Sequence, residues 1–189
     1  MSRAPDPHAS SEPSSWVRRH AGLLRPASRA LDVAAGRGRH ARFLASLGHQ
    51  VVAVDRDSEA LSALAGAPRI ETRVLDLEAP AWPLAGERFD AIVVVNYLHR
   101  ASFDAMLDTL SDEGVLVYET FAAGNEAWGR PSNPAFLLAS GELLERVRGR
   151  LGVVSYEEGF VPRGGNPAVV QRIVAVGARR ERPCGLSGA

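Results

Sequence analysis

The feature that most constrains the fold is a repeated alternation of short apolar runs with segments of helical periodicity. The clearest run, residues 89–95 (FDAIVVV), is rich in β-branched residues and has no polar face, as a central parallel strand requires. Helical segments such as residues 38–47 carry their apolar residues on one side and end at a glycine. Strand and helix alternate in this way five times, which predicts a doubly wound α/β sheet.

The C-terminal part of the chain departs from this alternation. A helix capped by Ser140 is followed by two expected strands, at residues 152–157 and 168–176. Their connection, GFVPRGGNP, is too short for a helical crossover, so we expect these two strands to pair antiparallel. The predicted fold is a Rossmann-like, mostly parallel seven-stranded sheet with a C-terminal antiparallel hairpin.

Composition excludes several classes of protein. The 189 residues include 22 basic and 22 acidic side chains, so the net charge gives no support for a nucleic-acid binder. Every basic residue is arginine, which excludes a Walker lysine, a Schiff-base lysine and the Tyr–Lys pair of short-chain dehydrogenases. Cys184 is the only cysteine and the five histidines lack ligand spacing, so no metal site is expected.

The ends of the chain and its apolar runs bear on location. The first fifteen residues lack the apolar stretch of a secretion signal, and no apolar run approaches the length of a membrane span. We therefore expect a cytoplasmic protein with no membrane partner. Polar, Pro-rich and Gly-rich composition predicts disordered tails at residues 1–13 and 179–189 around one domain at 14–178.

Two glycines lie where the first strand passes into its helix, in the string LDVAAGRGRH (residues 31–40). Because Gly36 and Gly38 lack a Cβ atom, the backbone can turn sharply there and approach a ligand closely. Asp55 ends the second strand, seventeen residues after Gly38, where a carboxylate can accept both hydroxyls of a ribose. The G-x-G-x-x-A pattern alone also fits a dinucleotide fingerprint, so a nicotinamide cofactor stays open at this point.

The loop and these acidic positions resemble the class I S-adenosylmethionine-dependent methyltransferases. LDVAAGRG matches the family's acidic residue and glycine loop, with Ala34 in place of the first glycine, and VDRD and VLDLE supply the acids after the second and third strands. The C-terminal hairpin is also a mark of that family.

The resemblance implies S-adenosyl-L-methionine as cofactor, with Asp55 on the ribose and Asp76 and Leu77 beside the adenine. Asp32 is expected near the methionine amino group, in direct contact or through a water, and the alternative that it only accepts hydrogen bonds from loop amides stays open. The predicted cofactor-binding residues are Asp32, Ala34, Gly36, Gly38, Asp55, Arg56, Asp76, Leu77 and Asn96.

The string VNYLHR follows the fourth strand, at the edge of the sheet where the methionine half of the cofactor is expected. It is not the Asp-Pro-Pro-Tyr or Asn-Pro-Pro-Tyr motif that would support methylation of DNA bases. His99 is the candidate general base because the pKa of imidazole lies near neutrality, and Tyr97 is the second catalytic candidate. A structural role for His99, capping the next helix, remains open.

Residues 122–138 form a Gly- and Pro-rich segment beside the same edge, and its interpretation stays open between a lid and a packed connection. VNYLHR and this segment resemble strings in small bacterial methyltransferases of the tellurite-resistance type, a likeness that names no substrate. The predicted substrate-binding residues are Arg100, Glu119, Asn125, Arg130 and Asn133.

The predicted function is transfer of a methyl group from S-adenosylmethionine to an unidentified small-molecule acceptor. One alternative is an NAD-dependent oxidoreductase, which the C-terminal hairpin and the lack of a second domain oppose. The other is a non-catalytic module of the same fold that binds the cofactor or a partner.

Overall fold

The structure is a computed structural model and describes residues 12–162 and 167–180. The predicted tails lie outside the described residues except for 12–13 and 179–180. A single sheet forms the centre of the molecule. Its strands are β1 (Arg29–Val33), β2 (Gln50–Asp55), β3 (Ile70–Val74), β4 (Phe89–Val95), β5 (Leu110–Phe121), β6 (Leu151–Val161) and β7 (Ala168–Gly177).

The strand order in the sheet is β3-β2-β1-β4-β5-β7-β6. Strands β1 to β5 are parallel, whereas β7 runs antiparallel to both β5 and β6. The predicted mostly parallel sheet with a C-terminal antiparallel hairpin is confirmed. The chain leaves β1 first toward β2 and β3 and later returns to place β4 on the other side. The direction of winding therefore reverses between β1 and β4, and a crevice opens at their carboxyl ends.

Within the described residues, five short helices and three 3₁₀ turns precede or connect the strands. None of the helices among the described residues is long and apolar enough to cross a bilayer. The helices are α1 (Ser15–His20), α2 (Arg39–Ser46), α3 (Ser58–Ser62), α4 (Phe103–Leu107) and α5 (Glu142–Val147), and the 3₁₀ turns are Ala21–Leu23, Asn125–Ala127 and Pro134–Phe136.

Both faces of the sheet are covered, which explains the unbroken apolar run of β4. Phe103 of α4 and Leu143 of α5 pack in the cluster on one face. Trp16 of α1, Leu44 of α2 and Leu61 of α3 pack in the cluster on the other. Burying apolar surface on two faces stabilises a central strand that has no polar side to offer water.

The start of α5 differs from the sequence-based expectation. Gly141, with φ +72°, occupies the N-cap instead of Ser140. The Ser140 hydroxyl donates to Glu158 across the sheet, and the Gly141 N–H donates to the same carboxylate. Gly141 provides no side-chain capping bond, and Glu142 instead accepts the N–H of Ala139, which lies before the helix, at 3.0 Å. The predicted serine cap is wrong because the N-cap lies one residue later, at Gly141, and the Ser140 hydroxyl bonds Glu158 of β6.

Candidate functional site

The carboxyl ends of the strands on the β3 side of the crevice enclose a cavity of about 130 Å³. Six of the residues that line it are ones that the sequence predicts for cofactor or catalysis. The full lining is Ala34, Asp55, Arg56, Leu75, Asp76, Leu77, Glu78 and Tyr97.

A wider depression of about 280 Å³ lies at the opposite, amino-terminal edge of β1, β2 and β3. Its lining includes Arg29, Gln50 and Arg69 and none of the predicted site residues. Open α/β sheets bind ligands at the carboxyl ends of their strands, and the glycine loop lies there too. We therefore assign the site to the smaller cavity.

The backbone is left-handed at the first residue after each of the two strands that flank the crevice. Ala34 follows β1 with φ +52°, and Asn96 follows β4 with φ +60°. This region is costly for residues other than glycine, and such strain concentrates at functional sites. Ala34 adopts the left-handed conformation that a glycine would adopt without strain.

The two glycines of the loop have different surroundings. A Cβ atom added at Gly36, where φ is +54°, would meet nothing within 4 Å. A Cβ atom added at Gly38 would lie 2.6 Å from the Cγ atom of Leu64. Gly36 therefore borders open space that a ligand can enter, whereas Gly38 lets the start of α2 pack closely against α3.

Asp55 joins the end of β2 to the glycine loop. One carboxylate oxygen accepts the Gly36 N–H at 2.7 Å, and the other accepts the Asp57 N–H at 2.9 Å. Each carboxylate oxygen can accept a further hydrogen bond. Asp55 thus fixes the loop and still offers acceptor capacity to the cavity.

The side of the cavity next to β3 combines an apolar wall with carboxylates. Leu77 is buried, while Asp76 is exposed and accepts the Glu78 N–H at 3.0 Å. Glu78 also lines the cavity, although no pattern in the sequence singled it out. An apolar wall with acceptors at its rim suits a flat ring that carries an amino group.

Tyr97 lies on the same side of the cavity. Burial raises the pKa of its phenol to about 12, and Glu78 and Asp76 add to the rise. Its hydroxyl is buried without a hydrogen bond of ordinary geometry. The phenol therefore stays protonated at neutral pH, which makes it a hydrogen-bond donor and not a base.

Asp32 is buried beneath the glycine loop, with 1% of its surface exposed. Its carboxylate accepts the Ala41 N–H at 2.9 Å. Burial raises the pKa of Asp32 to about 7, so its charge changes near neutrality. His40, which the sequence patterns did not single out, has its Nδ1 atom 3.9 Å from this carboxylate.

His99 is half-buried and its Nδ1 atom contacts the Ser102 hydroxyl at 2.9 Å. Ser102 is the residue before α4, so the ring is held against the start of that helix. With Nδ1 engaged, a proton acceptor role falls to Nε2. The capping alternative and the catalytic one are both compatible with this contact.

Arg100 is held by several partners. Its guanidinium bonds both carboxylate oxygens of Glu142, at 2.7 and 2.9 Å, and donates to the carbonyls of Ala135 and Leu137. The bond with Glu142 raises the pKa of Arg100. A substrate contact would have to compete with these bonds, and the visible effect of Arg100 is to tie the chain after β4 to α5 and to residues 135–137. Glu142 was missed because a glutamate in a first helical turn is unremarkable in sequence.

Glu119 ends up on the α1 side of the sheet. Its carboxylate is 3% exposed, accepts from the Ser14 hydroxyl at 3.2 Å and pairs with Arg172 at 3.5 Å. Of the predicted substrate-side residues, it therefore lies apart from the Arg100 cluster.

Two asparagines shape the segment 122–138. The buried Asn125 amide donates to the Pro131 carbonyl at 3.0 Å and accepts the Val169 N–H at 3.1 Å. Asn133 accepts the Ala135 N–H at 3.0 Å and so caps a 3₁₀ turn. These bonds account for both side chains locally, and substrate contact stays a prediction for each.

The middle of the segment is open to solvent. Trp128 and Phe136 are each 52% exposed, and Trp128 packs against Phe160 with ring centroids 4.7 Å apart. Arg130 lies between them in the chain and is exposed.

A family model described as a methyltransferase domain matches residues 30–113. This span includes the glycine loop, Asp55 and the cavity wall. Residues 30–113 are therefore similar to a methyltransferase domain. The match agrees with the predicted resemblance to the class I S-adenosylmethionine-dependent methyltransferases and covers less than half of the chain.

Several solved structures of methyltransferases share the fold of this chain. TehB from Haemophilus influenzae superposes with a TM-score of 0.75 at 20% identity, over 90% of this chain and 64% of that chain. The chain thus spans less than two thirds of TehB. The 1,6-didemethyltoxoflavin-N1-methyltransferase of Burkholderia thailandensis, solved with 1,6-didemethyltoxoflavin and S-adenosylhomocysteine, gives 0.64 at 24% identity, over 86% and 76%. The N-methyltransferase NodS from Bradyrhizobium japonicum, with S-adenosylhomocysteine, gives 0.61 at 20%, over 86% and 88%. No curated protein sequence matches the chain.

The residues around the cavity fit S-adenosylmethionine. The open space beside Gly36 allows close approach to the backbone, and Asp55 offers carboxylate oxygens for a ribose. Leu77 supplies an apolar surface for a base. These three features match the three parts of S-adenosylmethionine. The space beside Gly36 suits the methionine chain, Asp55 suits the ribose hydroxyls, and Leu77 suits the flat adenine ring.

Proposed function

We propose that the protein transfers the methyl group of S-adenosylmethionine to a small-molecule acceptor over the carboxyl ends of β1, β4 and β5. The observation that carries this proposal is the contact between Asp55 and the Gly36 amide beside open space. It combines a diol-binding carboxylate with a loop that a ligand can approach closely.

The cofactor-binding roles follow the parts of the cavity. Asp55 binds the ribose hydroxyls, Asp76 and Leu77 hold the adenine, and Asp32 faces the methionine amino group. Arg56 and Tyr97 line the same cavity, so a hydrogen bond from the Tyr97 phenol to the adenosyl group is more favourable than acid–base chemistry there. Ala34, Gly38 and Asn96 shape the turns around these groups.

The chemistry needs little from the protein beyond alignment and, for some acceptors, removal of a proton. The bound cofactor supplies a methyl group on a positively charged sulfur, which is already electrophilic. His99 is the proposed base, acting through Nε2 while Ser102 holds Nδ1. Alignment of the acceptor falls to the residues of β5 and of the segment 122–138.

The acceptor is proposed to be a small molecule bound beside Arg130 and Asn133, with Arg100 and Asn125 forming the frame of this surface. Glu119, which is buried and paired with Arg172, is left out of it. Two structural neighbours are named as an N-methyltransferase and a toxoflavin-precursor N1-methyltransferase, which supports this class of acceptor. The balanced charge of the chain supports it too, because a nucleic-acid acceptor would favour a basic surface. We further propose one catalytic domain at residues 14–178, flanked by tails, in a cytoplasmic protein.

Calorimetric titration with S-adenosylhomocysteine tests the proposal. We expect micromolar binding, no binding of NADH, and a loss of about 2–3 kcal/mol of binding free energy in Asp55→Ala, because charge-assisted hydrogen bonds are removed. Asp57→Ala is the matched control: its carboxylate caps α3, and the variant keeps the backbone N–H that Asp55 accepts. Binding of NADH instead, or equal affinity in Asp55→Ala, would refute the cofactor assignment.

A mass-spectrometric screen for products heavier by one methylene then identifies the acceptor.

A further inference from the structure

His40 lies between two parts of the structure that the cofactor site depends on. It is in the first turn of α2 and is 4% exposed. Its Nε2 atom accepts the Ser14 N–H at 3.2 Å, and its Nδ1 atom lies 3.9 Å from Asp32. Through one ring, the start of α1 is connected to the carboxylate beneath the glycine loop.

The hydrogen bond from Ser14 determines where the ring carries its proton. A backbone N–H can donate only to an unprotonated nitrogen, so Nε2 is bare and the neutral ring carries its proton on Nδ1. Burial, together with the nearby charge of Arg39, lowers the pKa of His40 to about 3, so the ring is neutral at physiological pH. The nitrogen that carries the proton is therefore the one that lies 3.9 Å from the Asp32 carboxylate.

Asp32 needs a nearby N–H dipole because little else offsets its charge. The charged groups that act on it are Arg39, which favours ionisation, and Asp55, which opposes it. The Ala41 N–H bonds one carboxylate oxygen. The separation of 3.9 Å exceeds a hydrogen bond, so the interaction with His40 is a charge–dipole attraction across a buried space.

The other side of the ring holds the beginning of α1. Ser14 accepts the Trp16 N–H with its hydroxyl oxygen at 3.1 Å and donates that hydroxyl to Glu119. The Arg172 guanidinium lies over the Trp16 ring and also pairs with Glu119. His40 is thus the member of this network that reaches back to the cofactor loop.

We propose that His40 is a positioning residue of the cofactor site, whose Nδ1–H orients the Asp32 carboxylate for the methionine amino group while Nε2 holds the start of α1. This proposal rests on the cofactor role proposed for Asp32. Wild-type binding of S-adenosylhomocysteine should tighten as pH rises from 6 to 8, because the ligand's ammonium group binds the ionised carboxylate.

Three substitutions separate the two sides of the ring. His40→Leu removes both functions and should weaken S-adenosylhomocysteine binding about tenfold at pH 7 and move the midpoint of its pH dependence upward. His40→Asn keeps a donor near the Nδ1 position and should recover most of the affinity and the midpoint. His40→Gln keeps an acceptor near the Nε2 position and should recover neither, but it should restore slow hydrogen exchange in α1. His49→Gln removes another buried histidine, at the amino-terminal edge of β2, and should bind as the wild type does.

The outcomes are distinguishable. Equal affinity and an equal pH midpoint in the wild type and His40→Leu would overturn the proposal. Equal losses in His40→Asn and His40→Gln would also overturn it, since they would indicate packing alone. If the wild type failed to bind S-adenosylhomocysteine, the proposed function would fail first and the role of His40 with it.

Discussion

Gly36 and Gly38 look alike in the sequence, yet their surroundings predict opposite effects of substitution. Asparagine tolerates the left-handed backbone that Gly36 adopts, and its side chain would enter space that the protein leaves open. Gly36→Asn should therefore lower S-adenosylhomocysteine affinity at least tenfold while the free energy of unfolding changes by less than about 1 kcal/mol. Calorimetric titration and urea unfolding measure the two quantities. Undiminished affinity would mean that the ligand does not approach this glycine.

Gly38→Ala should act on stability. The new methyl group would overlap the Leu64 side chain, and φ is +75°. We expect a loss of about 2–4 kcal/mol in the free energy of unfolding, from strain and overpacking together. Adding Leu64→Ala should give back part of the overpacking cost, so the two substitutions should be non-additive in urea unfolding. Additive losses would contradict the proposed contact.

Asp32 makes folding stability depend on pH. The pKa of an aspartate is about 4 in an unfolded chain. In the folded protein burial raises it to about 7. Between these values the folded state holds more protons, so stability contributed by the neutral form is lost as pH rises from about 4 to about 7. Asp32→Asn removes this loss, and its free energy of unfolding relative to the wild type should increase from pH 5 to pH 8. Asp104→Asn, an exposed control, should not change with pH in this way; the same flat response in Asp32→Asn would contradict the assignment.

At the scale of elements, the segment 122–138 is neither a free lid nor a fully packed connection. Its ends are held by the buried Asn125 and Leu138, while Trp128 and Phe136 in its middle are exposed. Any closure over an acceptor is therefore confined to the middle of the segment.

Arg100 and Glu142 hold the later part of that segment against α5, which gives a prediction. Glu142→Gln should weaken the bonds between Arg100 and Glu142, because their charge-assisted character is lost. Amide hydrogen exchange in residues 135–139 should accelerate several-fold as a result. The affinity for S-adenosylhomocysteine should remain unchanged. Glu145→Gln on the same helix breaks only an exposed pair with Arg148 and serves as the control. Equal hydrogen-exchange rates of residues 135–139 in the two variants would mean that the Arg100–Glu142 pair does not hold the segment.

For the molecule as a whole, α1 is expected to contribute much of the stability. Trp16 is 1% exposed, packs in the core, and its indole N–H donates to the Ile173 carbonyl on β7. Trp16→Ala should cost about 3–5 kcal/mol of unfolding free energy. Trp128→Ala removes the same side chain from a half-exposed position and should cost under about 1 kcal/mol. Similar losses of unfolding free energy in Trp16→Ala and Trp128→Ala, measured by urea unfolding, would contradict the packing of α1 against the core.

The sequence by itself determined the sheet, the order of strands and helices along the chain, and the tight glycine loop after β1. These features are encoded locally: β-branched runs such as FDAIVVV specify buried strands, and a tight turn between strand and helix requires residues such as Gly36. The acids at the strand ends, Asp55 and Asp76, follow from the same local logic, because the carboxyl ends of parallel strands meet at one edge.

Tertiary structure alone decided which side chains meet. Gly38 packs against Leu64, Arg100 is taken up by Glu142, and Ser140 donates to Glu158 instead of capping a helix. His40 joins Asp32 to Ser14. Each of these pairs joins residues brought together by the packing of separate elements or by the turn between them. Hydrogen bonds and close packing act over a few ångströms in space, and no periodicity along the chain records which faces come that close.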